Sequence, residues 1–244
     1  MYPAAWSLTY RDVQTLCRLA YKGNVNNIKV SCYVSVENHR WQVLKVEADD
    51  RTGFRAILAT GLDTGGNRVR VLSFAGSSDP MVSFTDWGVK GNAGNFLKGA
   101  SRTAQYKQAL SFAQGNPADY FVGHSLGGGL ALYCCINQNV RTATINPSPI
   151  FDEYFGTDYG DKRDTDIAIN YCTPRDMLRH GRGLAKNGAN VNMPITGAKL
   201  RLTTSLGATP GQEVQVGSVG KSEVDQHVMD FLVGFAEPKF ALVD

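Results

Sequence analysis

Asp119-Tyr120-Phe121-Val122-Gly123-His124-Ser125-Leu126-Gly127-Gly128-Gly129-Leu130-Ala131-Leu132 reads as a short apolar strand, a sharp turn and a glycine-opened apolar helix. Ser125 stands at the apex of that turn. A G-x-S-x-G pattern between a strand and a helix is a nucleophile elbow, which strains the serine backbone and lifts its hydroxyl above the sheet edge. Gly123 and Gly127 flank the serine where a side chain would block close strand–helix contact. The Leu126 amide is left at a helix N-terminus, where it can bind a developing oxyanion.

Outward from the elbow, the pattern alternates between strand and helix. Ser101 to Gln114 predicts a helix with Tyr106, Ala109, Leu110 and Ala113 on one face, stopped by Asn116-Pro117. After the elbow helix, which runs to about Gln138, Thr142 to Asn146 and Asp166 to Tyr171 read as further strands. Strands that alternate with helices pair in parallel. Towards the N-terminus, Thr9-Tyr10-Arg11-Asp12 resembles a capping box, and Val13, Leu16, Cys17 and Ala20 follow it at helical spacing until Gly23. Ile28 to Val36, Trp41 to Val46, Gly53 to Thr60 and Arg68 to Phe74 then make an antiparallel opening to the sheet. Short β candidates recur at Lys199 to Thr203 and Glu213 to Val216, before a terminal helix over about Glu223 to Phe235. The expected architecture is α/β: a mostly parallel central sheet with an antiparallel N-terminal portion, in one domain spanning residues 1–244.

The bulk properties agree with this and exclude other classes. The 244 residues are 43% hydrophobic and 19% charged, the composition of a globule able to bury a full core. A net charge of +3, from 25 Lys+Arg and 22 Asp+Glu, is too small and scattered to imply nucleic acid. The start of the chain shows no basic, then apolar, secretory leader, and no stretch approaches the roughly 18 apolar residues of a membrane span. Five cysteines form no CxxC and no paired spacing. They point to reduced thiols and a cytoplasmic location, or to export without a cleavable signal peptide, as for a secreted effector.

Acyl transfer from a serine needs a base to take its proton and a carboxylate to orient that base. In a chain with this elbow the two follow the serine, carboxylate first. Only His180 and His227 follow Ser125. His180 is four residues from Asp176, too close for the two to stand on separate loops. His227 follows a loop at the head of the last expected helix, where a base belongs. Asp176 lies just past the C-terminal end of the Ile167–Tyr171 strand, the edge at which catalytic groups collect. Asp164 and Asp166 precede that strand and project from the opposite edge, while Asp152, Asp158 and Asp161 fall in a polar loop.

Four blocks of the chain together resemble the class 3, fungal-lipase-like branch of the α/β-hydrolases. They are Val71-Leu72-Ser73-Phe74-Ala75-Gly76-Ser77-Ser78 with Asp86-Trp87, the elbow Gly123 to Gly128, Asn170-Tyr171-Cys172-Thr173-Pro174-Arg175-Asp176, and His227. The resemblance implies an α/β-hydrolase fold with helices on both faces and a triad of Ser125, Asp176 and His227. It also implies an oxyanion hole from the amides of Ser77 and Leu126. In these lipases the 76–99 segment holds a lid, for which Met81, Val82, Phe84 and Trp87 are suited, although they equally suit core packing beneath a long loop. Ala75 departs from the pattern, because the family usually has arginine there, so the contacts of that arginine must be missing or replaced.

The expected activity is therefore hydrolysis of lipid or lipid-like carboxylic esters through an acyl-enzyme, possible at a membrane or micelle surface. The same triad would also serve an acyltransferase or a short-chain esterase, and the same fold a non-catalytic binding module. No cofactor and no metal are expected, since no HExxH or Cys/His cluster has usable spacing. Gly217-Ser218-Val219-Gly220-Lys221-Ser222 is not a P-loop, because Gln215 occupies the position of its first glycine.

Overall fold

A computed structural model describes residues 6–22, 30–36, 39–76, 100–148, 150, 166–176, 190–192, 199–201, 211–222, 226, 233 and 239–241. The first helix, α1 (Tyr10–Lys22), starts from the capping box read in the sequence. The Thr9 amide and hydroxyl donate to Asp12 Oδ2 at 3.0 and 2.6 Å, and the Asp12 amide returns a bond to Thr9 Oγ1 at 3.0 Å. Asp12 is fully buried, and its other oxygen accepts the Trp41 indole N–H at 2.9 Å. One side chain thus caps a helix and anchors it to the sheet.

Four strands follow as a meander, β1 (Tyr33–Val36), β2 (His39–Asp49), β3 (Phe54–Leu62) and β4 (Arg68–Phe74). The β3–β4 turn is held by Asp63, whose Oδ1 accepts the amides of Gly65 and Asn67 at 2.9 and 2.8 Å. Helix α2 (Ala100–Gly115), strand β5 (Tyr120–His124), helix α3 (Leu126–Gln138) and strands β6 (Arg141–Ile145) and β7 (Ala168–Cys172) come next. The described residues continue with β8 (Asn190–Asn192), β9 (Lys199–Arg201), β10 (Gln212–Gln215) and β11 (Lys239–Ala241). β8 and β9 pair with each other alone. The other nine form one sheet in the order β10-β7-β6-β5-β4-β3-β2-β1-β11.

That sheet has two halves. β4 to β7 and β10 pair in parallel, whereas β11 and β1 to β4 pair antiparallel. The sequence predicts a mostly parallel sheet; the pairings instead divide evenly, because β11 (not foreseen) adds an antiparallel strand beside β1.

Alternating side chains divide the core between the two faces. Ile57 and Ala59 of β3, Val71 of β4 and Tyr120 and Val122 of β5 join α1. Phe54, Ala56, Leu58, Leu72, Phe74 and Phe121 point the other way, towards α2 and α3. Val13, Leu16, Cys17 and Ala20 of α1 are completely buried, as their spacing predicts. In α2 the buried face holds Tyr106, Ala109 and Ala113, but Phe112 takes the place expected for Leu110. Phe112 meets Phe54 edge-on at 6.2 Å, so sheet packing rotates the helix slightly from its predicted face. Among the described residues no helix is long and apolar enough to cross a membrane.

Candidate active site

Ser125 occupies the single residue between β5 and α3, at φ 57° and ψ −125°. This is a left-handed conformation that a residue with a Cβ adopts only under constraint, at about 1–3 kcal/mol. The constraint is visible. The Ser125 amide donates to the Ile145 carbonyl at 3.1 Å, and its carbonyl accepts the amides of Gly129 at 3.2 Å and Ser148 at 2.8 Å. β6 and the loop after it therefore grip the elbow from one side. The serine side chain does not cap the helix that it precedes.

Glycines make the turn possible by contact. A Cβ on Gly123 would overlap the Gly127 carbonyl, and one on Gly127 would overlap the carbonyl of Phe74 at the end of β4. A Cβ on Gly129 would lie 2.5 Å from Ser148 Oγ and 2.6 Å from the Tyr106 hydroxyl. Helix α3 thus sits against the sheet at backbone distance. Leu126 opens that helix, where the first amides have no acceptor within the helix. An oxyanion over this N-terminus meets donors and a favourable dipole.

Two strands away, Asp176 follows β7, fully buried, with its amide 3.3 Å from the Thr173 carbonyl. The same edge carries a polar latch absent from the sequence reading. Asn146, just past β6, adopts φ 43°; its Oδ1 accepts the Thr173 amide and its Nδ2 donates to the Gln226 carbonyl, each at 2.9 Å. Thr173 Oγ1 donates to that carbonyl at 2.9 Å, and Gln226 Oε1 accepts the Arg175 amide at 3.0 Å. The peptide carbonyl joining Gln226 to His227 is therefore fixed beside the segment bearing Asp176. An Asn-Pro pair after an apolar strand was the available hint of a special turn at 146; nothing in the sequence around Gln226 marks it.

Ser125, Leu126, Gly123, Gly127 and Asp176 thus gather at the C-terminal edge of the parallel strands, where ligand sites of open α/β sheets form. His227, Ser77 and the expected lid residues Met81, Val82, Phe84 and Trp87 lie outside the described residues, as does most of the expected terminal helix. Ala75, where arginine was expected, is 5% exposed and donates its amide to the Arg55 carbonyl at 3.0 Å.

Residues 16–212 match the model of a phospholipase-like family, the Tle-like phospholipase domain. The chain belongs to this family. A Tle-like phospholipase domain supports action on lipid esters, and the match includes Ser125 and Asp176 but ends before His227. No curated protein sequence matches the domain. Among solved structures it is similar to a Rhizomucor miehei lipase in complex with its propeptide, at 16% identity and a TM-score of 0.46, over 96% of this chain and 86% of that one.

A cleft of about 700 Å³ in this Tle-like domain lies elsewhere, lined by Trp6, Asp63, Asp119, Tyr120 and Arg141. It opens at the N-terminal ends of β5 and β6, the sheet edge opposite Ser125. Asp63 serves the β3–β4 turn, and Asp119 Oδ2 accepts the Arg70 amide at 2.7 Å. Both acids have structural partners, and this cleft contains none of the residues of the elbow.

Proposed function

We propose that this chain is a serine hydrolase of the α/β-hydrolase fold, in its class 3 lipase-like branch, cleaving carboxylic esters of lipids. The observation that carries the reading is Ser125 in a left-handed turn between β5 and α3, above a helix N-terminus. Membership of a phospholipase-like family supports lipids as the substrate class.

In this reading Ser125 Oγ attacks the acyl carbonyl while His227 takes its proton and Asp176 orients and stabilises the imidazolium. The oxygen that becomes negative is held by the amides of Leu126 and Ser77, each such donor being worth about 10²–10³ in kcat. The leaving alcohol receives the proton from His227. Water, deprotonated by the same imidazole, then attacks the acyl-enzyme and releases the acid. Burial of Asp176 and anchoring of the Gln226 carbonyl support this assignment, because a base needs a fixed main chain and a fixed partner. We further propose a single catalytic domain, with Met81, Val82, Phe84 and Trp87 in a lid over the serine. Five buried cysteines without disulfides support folding in a reducing compartment.

The test is an acyl-chain series of p-nitrophenyl esters beside phospholipid vesicles of defined headgroup, with Ser125→Ala in parallel. Hydrolysis by the wild type and its loss in Ser125→Ala are expected, with a fluorophosphonate probe labelling only the wild type. Inertness of the wild type towards esters, vesicles and probe would sink the hydrolase reading; activity surviving Ser125→Ala would move the nucleophile elsewhere. A jump in rate once substrate forms an interface is expected of the lid, and a smooth dependence through that point counts against it.

A further inference from the structure

Two amides from different parts of the chain must converge on one oxygen if the proposed oxyanion hole is to work. One follows Ser125 at the end of β5, and the other follows Gly76 at the end of β4. Their relative placement has to hold to within about 0.5 Å.

The end of α1 supplies a side chain at that junction. The Tyr21 hydroxyl lies 2.7 Å from His124 Nδ1 and 3.4 Å from the His124 carbonyl. Its ring and the imidazole are 5.7 Å apart and tilted by 55°. A Cβ on Gly76 would collide with the same hydroxyl and would come within 2.9 Å of the His124 carbonyl. Tyr21 therefore fills the gap between the residue before Ser77 and the residue before Ser125. We propose that Tyr21 is a positioning residue, a strut that sets the oxyanion loop after β4 against the nucleophile elbow after β5. The proposal rests on the serine hydrolase reading of Ser125.

The Gly76 amide hydrogen-bonds the phenol oxygen, and the phenol also faces both Nδ1 and the carbonyl of His124. Burial pushes the Tyr21 phenol well above its ordinary pKa, so it stays a neutral donor. His124 is 3% exposed, and its Nδ1 stands at hydrogen-bond distance from the phenol. A backbone amide, a phenol and an imidazole thus form one chain across two strand ends. Tyrosine suits this role, since two side-chain torsions fix its hydroxyl with little entropy to lose.

Tyr21→Phe in the full chain tests the strut, because it removes one oxygen and keeps the ring. Rates are normalised to active sites titrated with a fluorophosphonate, so that any unfolded fraction drops out. The expected result is kcat on a p-nitrophenyl ester lowered roughly 10–100-fold, with KM within about twofold. Affinity for an alkyl trifluoromethyl ketone, which forms a tetrahedral oxyanion on the serine, falls by the same factor. Because the hydroxyl acts through His124, the double variant with His124→Leu should be no slower than His124→Leu alone. An unchanged kcat per titrated site, even with a lower melting temperature, overturns the proposal and leaves the hydrolase reading standing. Equal losses in kcat and ground-state binding overturn it as well. An inert wild type fails the hydrolase reading instead, so the two failures are distinguishable.

Discussion

At the residue scale, Ser125 carries a backbone cost that its side chain imposes. At φ 57° and ψ −125° a glycine would rest with far less strain. Ser125→Gly is predicted to raise stability by about 1 kcal/mol while abolishing ester hydrolysis. Its melting temperature should rise by about 2–4 °C for a chain of this length. Ser125→Ala keeps the Cβ and should show the same loss of activity without the gain, which calorimetry on the two variants separates. The neighbouring glycines behave in the opposite sense. A Cβ at Gly123 meets the Gly127 backbone, which cannot swing aside, so Gly123→Ala should cost about 3 kcal/mol or more in urea unfolding. Gly115, at the end of α2, has nothing within 4 Å of its notional Cβ. Gly115→Ala should therefore be neutral or stabilising by about 0.5 kcal/mol. Equal effects at 115 and 123 would show that space, the stated cause, is not what decides.

At the scale of elements, the latch of Asn146, Thr173 and Gln226 joins three segments that no local pattern connects. Asn146→Ala removes the partner of the Thr173 amide and one of two donors to the Gln226 carbonyl. A loss of about 2–3 kcal/mol is expected, with kcat reduced tenfold or more and KM nearly unchanged, because the segment bearing His227 loses an anchor. A second inter-element tie is pH-sensitive. Asp49, at the end of β2, accepts Gln108 Nε2 of α2 at 2.7 Å and the Arg51 amide and guanidinium at 2.9 and 3.2 Å. Chiefly the Arg51 hydrogen bond, with that of Gln108, holds its carboxyl at about 2, below the ordinary value near 4. A depressed carboxylate stabilises the fold fully above about pH 4 and ceases to do so as pH falls through about 2. Melting curves of Asp49→Asn and wild type should therefore differ above pH 4 and converge towards pH 2; a constant difference would remove the linkage. These ties also mark how far the sequence could be read. The capping box at Thr9 and Asp12, the buried face of α1 and the elbow were legible, since each is encoded within a few residues. The Asn146–Gln226 contact spans 80 positions and the pairing of β1 with β11 about 200, and neither has a periodic signature. The face of α2 was misread at one residue, Leu110 in place of Phe112, for the same reason: Phe54, on another strand, chooses Phe112.

At the scale of the whole molecule, burial governs the thiols. All five cysteines are buried and free, with burial pushing Cys135 up to about 11 and Cys17 and Cys134 further. A native sample at pH 8 should resist Ellman's reagent for many minutes and release five thiols once denatured, whereas rapid titration of the native form would contradict the packing. The order of strands has another outcome, and it concerns time. β10 lies at one edge of the nine-stranded sheet and β11 at the other. The chain between them, which includes His227, must bridge about 40 Å of strand spacings. The elbow and its neighbours β4 to β6 are built from residues 68–145, nearer in sequence than the two sheet edges, and can assemble early. Docking of both edges comes from distant parts of the sequence and pays the largest loop-closure entropy, so it falls late. During refolding, tryptophan burial and helical signal should therefore recover before ester hydrolysis does; under the proposed triad, the serine would stand folded for an interval in which the molecule has no working base.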